Sequence, residues 1–271
     1  MAPMTYRGQL TLITGASAGL GAEFARQLAA RGSDLVLVAR REDRLKTLAA
    51  ELSDRHQVAV HTVAQNLADD RAGAKLAAEL QRRGLQVTSL VNNAGFATYG
   101  PFHEEDPERI RQEIALDVAA VVDITRAFIG PLRERGDGVL INVASMAAYQ
   151  ATPRMAVYGA TKAFVLSLTE ALWAESRGTG LKVIALSPGA TATEFFDVAG
   201  TTAATGGQKL QEPREVVADV FRALDRTNPP PSVAAGRRNR LMAALGRHLM
   251  TRKQMTQMID RMTAAGDRKN A

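Results

Sequence analysis

Six short apolar runs punctuate the first two thirds of the chain: QLTLIT, DLVLVA, VAVHTV, VTSLVNN, GVLINVA and LKVIALSPG. They are rich in Val, Ile and Leu on both faces, which marks strands covered from both sides. Between them the period lengthens to that of amphipathic helices, as in 42–53 and 69–83, and another helix begins near Met155 and continues through Ala163 to Arg177. This alternation predicts an α/β fold, a doubly wound parallel sheet flanked by helices. The run 190–212 is rich in Thr, Ala and Gly. Its length predicts a lid or a disordered loop rather than a plain connection. Pro213 opens a helix, PREVVADVFRALDR, and the NPPPS stretch that follows predicts either a linker or a poor edge strand.

The end of the chain has a different character. From Gly236 to Ala271 there are nine Lys and Arg and two Asp, leaving 25 basic and 26 acidic residues before it. The whole of the +6 net charge therefore sits in this tail, and a nucleic-acid-binding face on the main body is not supported. Leu241, Leu245, Leu249, Met255, Met258, Ile259 and Met262 recur in the tail at near-helical spacing. Such a basic amphipathic segment can pack on its own domain, cover a substrate mouth, meet another subunit or lie on an anionic membrane. The expected division is a single domain over 1–235, with 190–212 as a substrate-loop region, and a C-terminal helical extension over 236–271.

Composition removes several chemistries. The chain has no Cys, which excludes disulfides, thiolate metal sites and a thiol nucleophile. Four His without an HExxH pattern leave no metal-ligand cluster. The opening MAPMTYRGQLTLITG has no basic segment leading into a long apolar one, so a cytoplasmic protein is expected.

Chemistry-bearing residues fall at strand ends. Thr14-Gly15-Ala16-Ser17-Ala18-Gly19-Leu20-Gly21 lies between the first strand and a helix. Glycines there allow a tight turn and let backbone N–H groups approach a pyrophosphate at the helix N-terminus. The second strand ends in Ala39-Arg40-Arg41, without the acid that would bind the ribose 2′-hydroxyl of NAD. Guanidinium groups in that place pair with a 2′-phosphate, which favours NADP(H) over NAD(H); the alternative is two solvated arginines. Tyr158 and Lys162, four apart on a helix, share a face, and an ammonium beside the phenol lowers its pKa from about 10. A phenol so tuned gives a proton to a carbonyl oxygen or takes one from an alcohol.

Together with Asn92-Asn93-Ala94-Gly95, Asn142-Val143-Ala144-Ser145 and Ser187-Pro188-Gly189, these motifs resemble the short-chain dehydrogenase/reductase family from residue 8 to about 195. The resemblance implies a Rossmann-type fold, with Tyr158 as acid/base, Ser145 bonding the substrate oxygen and Lys162 also holding the nicotinamide ribose. It implies that Gly15, Ser17, Gly19, Leu20 and Gly21 cradle the cofactor phosphates, with Asn93, Ala94 and Gly95 beside them. Asn66, followed by Leu67, stands where the family usually has an Asp contacting adenine; an Asn oxygen can still accept from the adenine amino group. Pro188 and Gly189 lead to Thr193, or alternatively Thr191, as the residue reaching the nicotinamide amide or the phosphates. The family commonly adds an Asn on the long helix before the catalytic strand, and Asp117 falls there. A carboxylate in that position pairs through water with Lys162 and retunes the proton path, or merely fills the space. Asp123 has no such correspondence and reads as helix surface.

Phe96, Tyr99, Met146, Tyr149, Met155 and Phe195 converge in the expected loops and suggest an apolar substrate cavity. The leading reading is hydride transfer between NADP(H) and a carbonyl or secondary alcohol of an apolar small molecule, by a homodimer or homotetramer. NADP use favours the reductive direction. The competing reading is a dinucleotide-sensing or scaffold protein of the same fold that has lost turnover.

Overall fold

The structure, a computed structural model, describes residues 5–200, 209–248 and 251–270. Seven strands form one parallel sheet: β1 (Leu10–Thr14), β2 (Asp34–Ala39), β3 (Val60–Ala64), β4 (Ser89–Asn92), β5 (Val139–Val143), β6 (Lys182–Ser187) and β7 (Ser232–Ala234). Their order is β3-β2-β1-β4-β5-β6-β7, with β1 flanked by β2 and β4. Chain direction across the sheet reverses between β1 and β4, and the crevice opening there at the strands' carboxyl ends is where this topology holds ligands.

Both faces are covered. Helices α1 (Gly19–Ala30) and α2 (Glu42–His56) pack on one face and bury Phe24, Leu28, Leu45 and Leu52 against Ile13, Leu35 and Leu37. On the other face α3 (Ala72–Arg82) packs through Leu76 and Leu80 against Leu12, Val36 and Leu90. Next along the chain come α4 (Pro107–Ile114), a π turn (Ala115–Ala119) and α5 (Ala120–Arg135), then α6 (Ala156–Glu175). A four-residue turn, α7 (Phe195–Val198), and α8 (Pro213–Leu224) follow β6; α8 joins the α1 side of the core through Val216, Val220 and Phe221. The strands buried on both faces are the ones whose sequences lack alternation.

Several expectations shift in detail. NPPPS is no linker: its Ser232 begins β7, paired parallel to β6 from Ala185↔Ser232 to Ser187↔Ala234. Asp123 is more than surface, since its Oδ2 accepts the Gly73 N–H at 3.0 Å and caps the start of α3. A Cβ on Gly73 would lie 2.4 Å from the Asp123 carbonyl, so glycine is what lets α3 approach α5 this closely. Two helices end the chain, α9 (Arg237–His248) and α10 (Arg252–Asn270). Met255 is buried, while Leu241 and Met242 are exposed; the side chains of Leu245, Leu249 and Met262 lie outside the described residues, as does 201–208 of the substrate-loop region. No described helix is long and apolar enough to cross a membrane.

Candidate active site

A cavity of about 760 Å³ opens at the carboxyl ends of the strands. Its floor is tied together by Thr14, the last residue of β1, whose Oγ1 accepts the N–H groups of Asn93 and Ala94 at 2.9 and 3.1 Å. Asn93 returns the bond by donating Nδ2 to the Thr14 and Gly15 carbonyls at 3.0 and 3.3 Å. Gly15 has φ +65°, and a Cβ there would lie 2.8 Å from Ala94 Cα. On Gly21 a Cβ would meet the Gly15 carbonyl at 2.2 Å. Only glycine fits these two places, which explains the spacing of the motif. Beneath the floor, Asn92 donates to Thr125 and Asn142, and Asn142 donates to Thr169, each at 2.9 Å, so a buried amide chain fixes β4 to β5 and α6.

Gly15, Ser17, Gly19 and Leu20 line one end of the cavity at the start of α1. No side chain caps this helix, so its leading N–H groups face the cavity with the positive end of the helix dipole. Arg40 and Arg41 flank it at the end of β2. Arg41 donates to Ser17 Oγ through Nε and Nη2 at 3.2 and 3.1 Å, and its Nη1 lies 2.8 Å from Glu194 Oε2. Arg44 reaches the other Glu194 oxygen at 2.5 Å. Hydrogen bonds from Arg41 and Arg44 hold the Glu194 carboxyl below the usual range. The sequence reading missed Arg44 and Glu194, and no local pattern connects residues that far apart in the chain.

Asn66 and Leu67 form a side wall. The Asn66 amide is engaged locally, donating to Asp69 at 2.7 Å and accepting from Ala68 N at 3.3 Å. Opposite, Pro188, Gly189, Thr191 and Thr193 line the cavity beyond β6. Thr191 is buried and donates to the Gly189 carbonyl at 2.9 Å, while Thr193 Oγ1 accepts the Phe195 N–H at 3.3 Å at the start of α7.

The other end of the cavity gathers Ser145, Tyr158 and Lys162. Ser145 follows β5, and its Oγ accepts the Ala147 N–H at 3.1 Å, which starts a 3-10 turn over Met146–Tyr149. Tyr158 and Lys162 share the inner face of α6, with Nζ 5.5 Å from the phenol ring centre. The same Nζ donates to the Val143 carbonyl at 3.4 Å and lies 2.9 Å from Asp117 Oδ2. That contact is a close, buried ion pair. It is direct, where the sequence suggested a water between the two groups. Asp117 is fully buried in the π turn, with Oδ1 accepting the Phe96 N–H at 3.1 Å. One-turn π segments inside helices are frequent at functional sites.

Electrostatics here differ from the simple picture of an ammonium acidifying a phenol. Burial drives the Tyr158 pKa above its ordinary value; Lys162 and a hydrogen bond to Ser145 pull it down without overcoming burial. At neutral pH the phenol therefore keeps its proton. Burial also works against the Lys162 ammonium, but Asp117 and Tyr158 outweigh it and Lys162 is raised. Burial pushes Asp117 up, opposed by Lys162 and the Phe96 N–H.

A second buried acid went unnoticed in the sequence. Glu113, one turn before Asp117, is fully buried, and Thr98 donates to its Oε2 from N and Oγ1 at 3.0 and 2.8 Å. Burial raises its pKa to about 7, against the Thr98 hydrogen bonds and with help from Asp117 and Glu105. The segment PERIRQEI reads as a polar surface helix, and only the four-residue spacing to Asp117 signalled a shared face.

Gly95 stands where this acid–base group meets the cavity. A Cβ there would lie 2.9 and 3.0 Å from the two Asp117 oxygens and 3.0 Å from Lys162 Nζ. The close approach the glycine permits is thus to the ion pair itself. Gly95→Ala is expected to push the pair apart, lowering stability by about 1–3 kcal/mol, the usual range for overpacking. Thermal unfolding and turnover measured on the same preparation should both fall.

Of the aromatic and Met residues expected around a substrate, Phe96, Met146, Met155 and Phe195 line the cavity. Tyr99 and Tyr149 do not; they pack beside the Met155–Tyr158 and Ala144–Val165 clusters. The Phe195 ring lies 5.3 Å from that of Tyr158. Arg109 joins the wall with its guanidinium 4.5 Å from the Phe96 ring centre. Ile259 and Thr263 of α10 complete the lining.

The family model for short chain dehydrogenase matches residues 9–203. The chain belongs to the short-chain dehydrogenase family. It is similar to sulfoacetaldehyde reductase 2 of Chromohalobacter salexigens, 38% identical over 202 residues that span 74% of this chain and 77% of the relative. Among solved structures it resembles a short-chain dehydrogenase from Sphingobium yanoikuyae in complex with NADPH, with a TM-score of 0.77 and 34% identity, covering 88% of this chain and 93% of that one. A 7β-hydroxysteroid dehydrogenase aligns with a TM-score of 0.83 and 27% identity, covering 96% of this chain and all of that one. As a short-chain dehydrogenase the chain is an NAD(P)-dependent oxidoreductase built on a Rossmann-type sheet.

Proposed function

We propose that this chain reduces the carbonyl of a small molecule with an apolar body, using NADPH, with Tyr158 giving the proton. The observation that carries the reading is the cavity's polarity. Ser145, Tyr158 and Lys162 meet at one end, and an uncapped helix N-terminus beside Arg40 and Arg41 forms the other.

The residues present fit a dinucleotide. Backbone N–H groups from Gly15 to Gly21 suit its pyrophosphate, Asn66 and Leu67 its adenine, and the stretch from Pro188 to Thr193 its nicotinamide amide. Lys162 would hold the nicotinamide ribose. Reduced nicotinamide supplies the hydride when bound. The protein's part is to orient the carbonyl and provide a proton: Ser145 bonds the carbonyl oxygen, and the Tyr158 phenol, protonated at neutral pH, donates to it. Lys162 stabilises the phenolate left behind. Phe96, Met146, Met155 and Phe195 exclude water and receive an apolar substituent. The relatives' names, an aldehyde reductase and a hydroxysteroid dehydrogenase, agree with carbonyl and alcohol chemistry.

Preference for NADPH rests on the arginine corner. A 2′-phosphate and the Glu194 carboxylate would compete for the same Arg41 and Arg44 guanidinium groups. Arg41→Ala is expected to weaken NADPH binding roughly 10- to 100-fold, the scale of one charge-assisted hydrogen-bonding group, and to leave NADH binding nearly unchanged. Glu194→Gln should tighten NADPH. Fluorescence titration with both cofactors checks the pair; equal effects on NADPH and NADH would remove the 2′-phosphate assignment.

The whole reading is tested by NADPH consumption over aldehydes and ketones graded by size and polarity, repeated with NADH. NADPH binding without turnover across the panel would favour the sensing role instead.

A further inference from the structure

Three acids, Asp117, Glu113 and Glu105, lie close together in the sequence, the first of them against Lys162. Asp117 touches the ammonium at 2.9 Å, and Glu113 precedes it by one helical turn. Neither acid lines the cavity, although Gln112 and Leu116 beside them do. Glu105, partly exposed, acts electrostatically on Glu113 from the stretch before α4. Asp117 and Glu113 thus extend from the reacting end of the site on residues that do not line the cavity, and Glu105 lies near enough to Glu113 to act on its charge.

Glu113 is a costly residue to keep for structure alone. Its side chain is wholly buried, one oxygen is clamped by Thr98, and Oε1 meets no hydrogen-bonding partner among the described residues. The charged and ionisable groups acting on it are Asp117 in the π turn, Glu105 before α4, and Lys162 and Tyr158 across the packing contact with α6. Arg109, one turn earlier on α4, directs its guanidinium over Phe96. Acids thus surround Glu113 on its own strip of chain, and the Lys162 ammonium is already paired with Asp117. A buried carboxyl so placed is stable when it carries a proton.

We propose that Glu113 is the proton store for turnover, a positioning residue that recharges Tyr158 through Asp117 and Lys162 and is itself recharged from solvent past Glu105. The idea rests on the reading of Tyr158 as proton donor. For each carbonyl reduced, the phenol O–H bond breaks and the alcohol O–H bond forms. Lys162 returns a proton to the phenolate, Glu113 gives its proton to the Asp117 carboxylate, and Asp117 passes that proton on to Lys162, which leaves the ion pair restored. Solvent restores Glu113, so one proton is taken from water per hydride delivered and no other reactant is needed.

The sign of the pH dependence follows. Glu113 holds its proton up to about pH 7, so steady-state reduction should fall as pH rises through that region. The first turnover should not fall there, because Tyr158 is still protonated. Glu113→Gln should lower the steady-state rate about tenfold and abolish the limb near pH 7, leaving the single-turnover rate and NADPH binding intact. Two changes beside Glu113 should move the limb in opposite directions. Thr98→Val removes a hydrogen bond that favours the carboxylate and shifts it to higher pH; Glu105→Gln removes a repelling charge and shifts it to lower pH. Loss of rate at every pH with the limb unmoved would mean a structural role and overturn the proposal.

Infrared titration of the protein, without any turnover, provides the separate arm. A protonated-carboxyl band that disappears near pH 7 in the wild type and is missing in Glu113→Gln supports the store. Its absence from the wild type sinks the idea even where Tyr158 is shown to be the donor. If no carbonyl compound is reduced while the band is present, it is the proposed function that has failed.

Discussion

Asp117→Ala should be the most destabilising single change in the site, costing about 3–5 kcal/mol, the range found when one member of a buried ion pair is removed. The reason is what remains behind. Lys162 is 6% exposed, and among the described residues its remaining hydrogen bond is a 3.4 Å contact to the Val143 carbonyl, so its ammonium would be left nearly unpaired in a dry environment. It would respond by losing its proton, and its pKa would fall from a raised position to a depressed one. The Phe96 N–H would lose its acceptor as well. For a chain of this size the melting temperature should drop by roughly 10 °C. Asp117→Asn keeps the shape and an oxygen for Phe96, so it should unfold less easily than the Ala variant while still shifting the pH profile. Thermal unfolding of the three proteins between pH 6 and 9 checks this, and equal stability of wild type and Ala variant would mean that the pair contributes little.

Tyr158→Phe should reduce carbonyl turnover by about 10²–10⁴-fold, the usual value of a positioned general acid. That corresponds to roughly 3–5 kcal/mol of barrier. The phenol is 8% exposed, packed on Phe195 and Met155, and a phenyl ring keeps both contacts, so folding and cofactor binding should change little. The test is a comparison of kcat with cofactor affinity on the same preparations. Turnover equal to that of wild type would remove Tyr158 from the chemistry.

How much of this was legible in one dimension varies residue by residue. The strands of the core were readable because burial on both faces leaves a continuous apolar run. The glycine turn after β1 was readable because Gly15 and Gly21 answer steric demands arising within a few residues of themselves and from the loop after β4. Tyr158 and Lys162 were readable because helical periodicity alone places them on one face. Asp117 was found by its place in the motif order, but its direct contact with Lys162 was not.

The rest depended on which distant segments fold together. Glu113 resembles any polar helix residue until Thr98, α6 and the π turn enclose it, and burial then changes its protonation. Glu194 is an ordinary loop acid until the segment after β6 lies across the arginines at the end of β2. Tyr99 and Tyr149 looked like pocket residues because aromatic side chains suit both cavity and core, and only packing decides between them. The tail's amphipathic pattern left its partner open, since an apolar stripe specifies that something is covered and not what; that Ile259 and Thr263 line the cavity emerged only from the fold. The sequence by itself determined the sheet, the glycine-rich turn after β1 and the shared face of Tyr158 and Lys162, because those rest on local geometry and periodicity, whereas Ser145 was singled out only by its place in the family's motif order. Tertiary structure alone decided the ionisation of the buried acids and the charge pairing at the arginine corner, because desolvation and Coulomb energy depend on distances that exist only after the chain has folded.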